Sequence, residues 1–222
     1  MYRARLPYDA VRDFAPIGLA VKIPFLLLVH PSLPAQDVAA LIALARRRPG
    51  QLNYASAGTG GATHLATELF KSTTGTDIVH VPYKGAAPSM TDLMAGQVDF
   101  SLIGPPTALP AVRSGRLRAL ATTGAQRLGM FPGVPTMAEA GVARYEFTQW
   151  YGLLAPGRTS RDIVMALHAA LLRALDDPDM KRRIADQGGT SVSSTPEEFV
   201  DCIKSELEKS AQTLRSAGIR RE

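Results

Sequence analysis

The chain has a single cysteine, Cys202, so no internal disulfide can staple it. At 222 residues it is long enough to bury a core without one. Cys202 lies in the helical run "PEEFVDCIKSELEKSAQTL", where a half-buried small residue is the expectation rather than a reactive thiol. Long apolar runs are also missing. The longest, "IPFLLLVH", is too short to cross a membrane, and the opening "MYRARLPYDAVRDF" lacks the apolar core of an export signal. Aromatic residues are scarce, with one tryptophan in the chain. The basic clusters "RRR" (46–48), "KRR" (181–183) and Arg220–Arg221 are short and have no aromatic residues between them, so the net charge of +5 does not make a nucleic-acid stripe. The first two clusters suit helix C-termini.

Several chemistries lack their residues. The four histidines, His30, His64, His80 and His168, show no ligand spacing, and no H-E-x-x-H is present, so no metal is expected. There is no G-x-S-x-G elbow and no Gly-Lys-Ser or Gly-Lys-Thr loop. Repeats, heptads and low-complexity tracts are absent as well. What remains is ordinary globular material, 45% hydrophobic and 20% charged.

The middle of the chain alternates strand and helix signals. "FLLLVH" (25–30) reads as a buried strand, and "AQDVAALIALARRR" as a helix with Pro34 in its first turn and "PG" (49–50) as its stop. "LNYAS" (52–56), "DIVHVPY" (77–83), "VDFSLIG" (98–104) and "LRALATTG" (117–124) read as strands. The helices "ATHLATELFKSTTG", "APSMTDLMAG" and "PPTALPAVRSG" separate them. This pattern predicts a mostly parallel sheet covered on both faces. Ligands of such sheets sit beyond the strand C-termini, so the loops 57–63, 82–86 and 104–107 should share one crevice. After residue 130 the pattern changes. "MFPGVPTMAEAG" reads as a turn-rich connector with one short helix, and "YEFTQWYGLLAP" (145–156) as a strand. Helices are expected over 160–176, 179–187 and 196–216, the last starting from Thr195 with Pro196 and Glu198. The opening 22 residues lack strand–helix pairs and offer the late helices little to pack on.

The loop in "NYASAGTGGATH" (53–64) carries the chemistry. Its glycines suggest a dinucleotide fingerprint, but the third glycine position falls on Thr63, and Asp77 begins the next strand where an acid should end it, so no nucleotide cofactor is expected. A Ser56–His64 catalytic pair is conceivable, but a His64 that caps or packs is the better reading. Two readings of the loop stand. In one, Gly58, Gly60 and Gly61 only make a tight turn. In the other, they bring free helix N–H groups close to a carboxylate or phosphate, and Thr59 and Thr63 add hydroxyls. The second loop offers Tyr83, Lys84 and Gly85, with Lys84 as a full positive charge or simply a solvated side chain. The third offers Gly104 backbone and the Thr107 hydroxyl.

The segments "LPYDAVRDFAPIGL", "HPSLPAQDVAALIALARRRPGQLNYASAGTGGATHLATELF", "VHVPYKGAAPSMTDLMAGQVDF", "GRLRALATTGAQR", "FPGVPTMAEAG" and "WYGLLAPGRT" resemble, in order, the receptors of tripartite tricarboxylate transporters, the Bug-type solute-binding proteins. The resemblance covers essentially the whole chain. It implies a two-lobed α/β architecture of the type II periplasmic-binding-protein kind that closes on a small carboxylic acid and serves membrane components of a transporter. On this chain it maps one ligand loop to Ser56–Gly61 and a second to Pro82–Gly85, and implies Trp150 as a cleft residue. With the loop chemistry above, the candidate ligand-binding residues are Ser56, Ala57, Gly58, Thr59, Gly60, Thr63, Tyr83, Lys84, Gly85, Gly104 and Trp150. It implies a periplasmic location and no catalytic residue.

Family members normally begin with an export signal and a strand–helix–strand stretch bearing a further ligand loop. This sequence starts after that region, which predicts an incomplete first lobe: residues 1–20 and 148–222 in the first lobe, residues 21–147 in the second. Ile103–Gly104 stands where many relatives carry a polar or acidic residue. An apolar surface left on the first lobe would favour self-association. The alternatives are an α/β enzyme acting on a carboxylate or phosphate, a non-transport ligand sensor, and a cytoplasmic remnant.

Overall fold

The computed structural model describes residues 7–218. Arg220–Arg221 and residues 1–6 of the expected first-lobe remnant lie outside the described residues. The chain builds two α/β units. The larger has a five-stranded sheet made of β2 (Leu26–Val29), β3 (Asn53–Ser56), β4 (Val79–Pro82), β5 (Phe100–Ile103) and β6 (Arg118–Thr122), in the order β4-β3-β5-β2-β6. Helices α1 (Val38–Arg47), α2 (Ala62–Thr74), α3 (Ala86–Met94) and α4 (Pro105–Arg113) connect them.

The hydrophobic pattern explains both layers. Every residue of β2 is buried. Its alternation sends Leu27 and Val29 toward α1 and α2, where they meet Leu41, Leu44 and Phe70. Leu26 and Leu28 go to the other face, against Leu93 of α3 and Ala108 of α4. Each buried leucine contributes roughly 1.5–3 kcal/mol of transfer free energy, so β2 alone anchors both layers.

β3 pairs in parallel with β4 and β5, whereas β2 runs antiparallel to both β5 and β6. The sheet is therefore mixed, and the strand expected to open a parallel series is its reversed member. β3 and β5 are neighbours whose following helices, α2 and α4, lie on opposite faces. A crevice opens where such connections diverge.

α1 starts later than the Pro34 reading implied. The Asp37 side chain accepts from the Ala40 N–H at 2.7 Å and fixes the first turn at Val38. Arg46 and Arg47 occupy its last turn, and Arg46 also donates to the Thr74 carbonyl at 2.6 Å. The short helix expected near residues 130–141 is only a turn. Ala140 N–H donates to the Thr136 carbonyl, and Glu139 and Thr136 bond each other's backbone N–H, which closes the turn without extending it.

The smaller unit has the sheet β7-β1-β8, with β1 (Phe14–Pro24) between β7 (Thr148–Pro156) and β8 (Thr190–Ser191), both antiparallel to it. Here the opening segment corrects the sequence reading: residues 14–24 form the central strand and supply the surface on which the late helices pack. Ile17 meets Val164, Leu171 and Leu175 of α5 (Arg161–Asp176) and Ile184 of α6 (Pro178–Asp186). Leu19 meets Phe199 and Ile203 of α7 (Pro196–Ser216) on the other face. β7 begins at Thr148, later than expected, because Tyr145 is buried in the larger unit with its hydroxyl donating to the Ala66 carbonyl at 3.0 Å. Gly152 is required on β7, since a Cβ there would collide with the Phe199 ring. Thr195 starts α7 with a full capping box to Glu198, as its sequence suggests. Cys202 is half-buried, and burial raises its thiol pKa, which makes it a poor nucleophile. Among the described residues no helix is long and apolar enough to cross a membrane.

Candidate functional site

A cavity of about 320 Å3 lies at the divergence of β3 and β5. Ala57, Ala62 and Thr63 line it from the first loop, Ala86 and Ser89 from α3, and Gly104 and Thr107 from the third loop. The three loops expected to share a crevice thus meet there. Phe25, Leu102 and Ile103 form an apolar part of the wall, and Gln149 reaches it from β7. Among the described residues that line it, none carries a formal charge.

Three helices begin at this cavity, and each begins on a glycine. Gly61, Gly85 and Gly104 are the N-caps of α2, α3 and α4, and none carries a side-chain cap. Gly85 has φ of +117°, a conformation L side chains rarely adopt, and its N–H donates to the Ala57 carbonyl at 3.0 Å, which ties the second loop to the first. First-turn N–H groups and the positive ends of three helix dipoles therefore collect around one apolar-walled space. Such a space suits a carboxylate or another small anion without an ionised partner.

A ring network holds the glycine loop from beneath. The register Tyr54↔His80 and Ser56↔Pro82 sets Tyr54, Ser56 and His80 on one face of the sheet. The Ser56 hydroxyl lies 2.6 Å from His80 Nε2 and also accepts from the Gly58 N–H at 3.2 Å. His64 Nδ1 accepts from the Gly60 N–H at 2.9 Å, so His64 braces the loop from the first turn of α2. The His64 and His80 rings stack at 3.9 Å, and Tyr54 stacks on His80 at 4.9 Å. Burial lowers both histidine pKa values; that of His80 falls to about 4, with His64 adding to the shift. Both rings are neutral near pH 7, as the acceptor role of His64 requires.

The Ser56–His64 pair does not form, because Ser56 bonds His80 instead. Ser56 is fully buried, and Glu68 is held by Tyr54 at 2.7 Å and Lys71 at 2.7 Å rather than orienting His80. A nucleophile–base–acid relay is therefore not assembled at this serine. Among the described residues no cluster of three or more histidine, cysteine or acidic side chains could hold a metal.

The other expected site residues divide. Thr63 lines the cavity, and its hydroxyl oxygen accepts from the Ala57 N–H at 3.1 Å, which leaves the hydroxyl proton for another acceptor. Gly58 and Gly60 shape the loop, and Thr59 is exposed on it. Tyr83 turns away from the cavity to donate to Asp92 Oδ2 at 2.7 Å; burial and that carboxylate raise its pKa to about 12. Lys84 is exposed and is not part of the cavity wall. Trp150 is likewise outside it. Strand alternation points Trp150 to the opposite face, edge-on to Phe199 at 5.6 Å, beside a second cavity of about 420 Å3 with Lys22, Cys202 and Lys209. Gln149, its neighbour, is the β7 residue that reaches the candidate site. Sequence reading passed over Gln149, Phe25 and Ser89. The alternation of β7 carried the signal for Gln149; for Phe25 it was a strand N-terminus whose reversed direction places it beside Ile103.

The chain resembles known proteins over nearly its full length. A family model described as "Tripartite tricarboxylate transporter family receptor" matches residues 1–219. Protein BugT of Bordetella pertussis is 35% identical over 213 residues, covering 96% of this chain and 65% of that protein. Among solved structures, Rpa4515 of R. palustris with adipate superposes with a TM-score of 0.85 at 35% identity, over 96% of this chain and 72% of that one. MatC of Rhodopseudomonas palustris with bound malate gives a TM-score of 0.80 at 30% identity, over 95% and 73%. The chain spans less than two thirds of BugT's length. The α/β architecture is thus that of periplasmic solute-binding proteins, and the chain belongs to the tripartite tricarboxylate transporter receptor family.

Proposed function

We propose that this protein is an extracytoplasmic receptor that captures a small carboxylate for a tripartite tricarboxylate-type transporter. One observation carries the reading: three glycine-capped helix N-termini converge on a single cavity whose wall has no charged side chain. The solved relatives with adipate and malate support a carboxylate as the ligand class. The site works by binding alone. Backbone N–H groups and hydroxyls hold the carboxylate, and closure of a facing lobe excludes water.

In this reading the first-turn amides of Thr63, Ala86 and Thr107 and the Thr63 hydroxyl hold the ligand, Ala57 and Gly104 line its site, and Gly58, Thr59, Gly60, Tyr83 and Gly85 shape the loops around it. Lys84 attracts anions from solvent without touching them. The larger sheet is one complete lobe. β1, β7, β8 and the late helices belong to the other, with the crossovers near residues 24 and 147. The location is periplasmic and the partners are the transporter's membrane components. β7 is an uncharged edge strand that exposes Tyr151, Leu153 and Leu154, an apolar surface that favours self-association.

Titration calorimetry with adipate, malate, glutamate and inorganic phosphate tests the reading. Saturable binding of at least one carboxylate, with the ligand recovered unchanged, is the expected result. Failure to bind any of the carboxylates, or conversion of a bound acid that stops on His80→Ala, would overturn it.

A further inference from the structure

The cavity contains one polar group that the folded chain leaves unsatisfied. Ser89 is fully buried, forms part of the cavity wall, and its Oγ has no hydrogen-bond partner. It sits in the first turn of α3, just inside the uncapped Gly85 N-terminus. A serine in a helix ordinarily bonds a carbonyl of the preceding turn, as Thr67, Thr74 and Thr91 do in this chain. Ser89 does not. A buried hydroxyl without a partner destabilises a folded chain, and such groups in native proteins have a reason. Among the described residues the other such orphan, Ser191 Oγ in β8, belongs to a residue that lines neither cavity.

We propose that Ser89 is a ligand-contact residue, its hydroxyl donating to a carboxylate oxygen held at the N-terminus of α3. This rests on the receptor reading and deepens it. The glycine-capped N-termini supply backbone donors that any anion can use. Ser89 supplies a side-chain donor on the wall between the first and third loops. A hydroxyl left unpaired in the free protein and paired in the complex makes that bond count fully toward binding.

The test uses the full chain with adipate as probe and two variants, Ser89→Ala and Ser191→Ala. Alanine suits a helix interior, so Ser89→Ala is expected to fold. Removing either orphan should raise the melting temperature of the free protein. Only Ser89→Ala should weaken adipate binding, by on the order of tenfold. If Ser89→Ala lowers the melting temperature, the hydroxyl has a structural partner and the proposal fails. If the unchanged protein binds adipate and Ser89→Ala binds equally well, the proposal fails while the receptor reading stands. If the unchanged protein binds none of adipate, malate and glutamate, both fall together.

Discussion

The helices of this protein begin in two ways. Away from the cavity, α1, α6 and α7 start on Asp37, Asp177 and Thr195, whose side chains accept the free N–H groups of the first turn. At the cavity, α2, α3 and α4 start on glycines that accept nothing through a side chain. α5 falls between, starting on Ser160 without a side-chain bond. The same chain therefore completes some helix N-termini from within and leaves three incomplete at one place. A cap that satisfies the helix also occupies the position a ligand would take. The glycine-capped ends forgo a few tenths of a kcal/mol each relative to a serine or aspartate cap. They keep their donors for something else, although in α4, which opens on Pro105 and Pro106, the only first-turn donor is the Thr107 N–H.

The largest effect should come from converting one kind of end into the other. Gly104 has an extended backbone conformation, and a Cβ there meets nothing within 4 Å. Gly104→Asp would place a carboxylate over the Thr107 N–H, cap α4 and put a negative charge in the cavity. Adipate affinity should fall by more than about tenfold while stability holds or rises by a few tenths of a kcal/mol, read by calorimetry and urea unfolding. Retained affinity would break the contrast.

Acidification should loosen the cavity side first. His64 and His80 have folded pKa values below the ordinary 6.5. As pH falls through 6.5 the unfolded chain takes up these protons before the folded one. Their neutral-state contribution is therefore complete above about pH 6.5 and is lost as pH falls toward the His80 value of about 4. Protonation of His64 also removes the acceptor of the Gly60 N–H. Hydrogen exchange at Gly60, corrected for intrinsic rate, should accelerate over that window, while the capped Glu198 N–H keeps its protection.

Thr195→Ala removes a capping box on the filled side. It should lower unfolding stability by about 1 kcal/mol and leave adipate affinity unchanged, measured by the same two methods. The smallest effect belongs to Lys84→Ala. Lys84 is exposed and outside the wall, so adipate affinity should change by no more than about twofold at physiological salt, where charges beyond contact are screened. A larger loss would show the lysine in contact with the ligand.

Much of this arrangement was legible in the sequence where local chemistry decides it. The β3–loop–α2 unit, the Gly75 end of α2 and the Thr195 start of α7 each follow from a few neighbouring residues. The meeting of three loops follows from strand–helix alternation. What local pattern could not carry was partnership. β1 has no helix behind it and reads as a segment with little to offer the late helices, yet it becomes the centre of a sheet because β7, far along the chain, pairs with it. The reversed β2 looks like any other buried strand. The family resemblance offered Trp150 as a cleft residue, but the pleat of β7 gives the cavity to Gln149. Ser89 reads as an ordinary helical serine, and only its missing partner in the folded chain marks it out.

The central claim is that the unfilled N-termini of α2, α3 and α4 hold the ligand. The most direct measurement is the backbone amide spectrum of the isotope-labelled chain titrated with adipate. The account predicts that the largest shifts fall on the first-turn amides of Thr63, Ala86 and Thr107, with Asp179 and Glu198 at the filled ends unmoved. Shifts centred instead on Trp150 and Cys202 beside the second cavity, or none at saturating adipate, would contradict it.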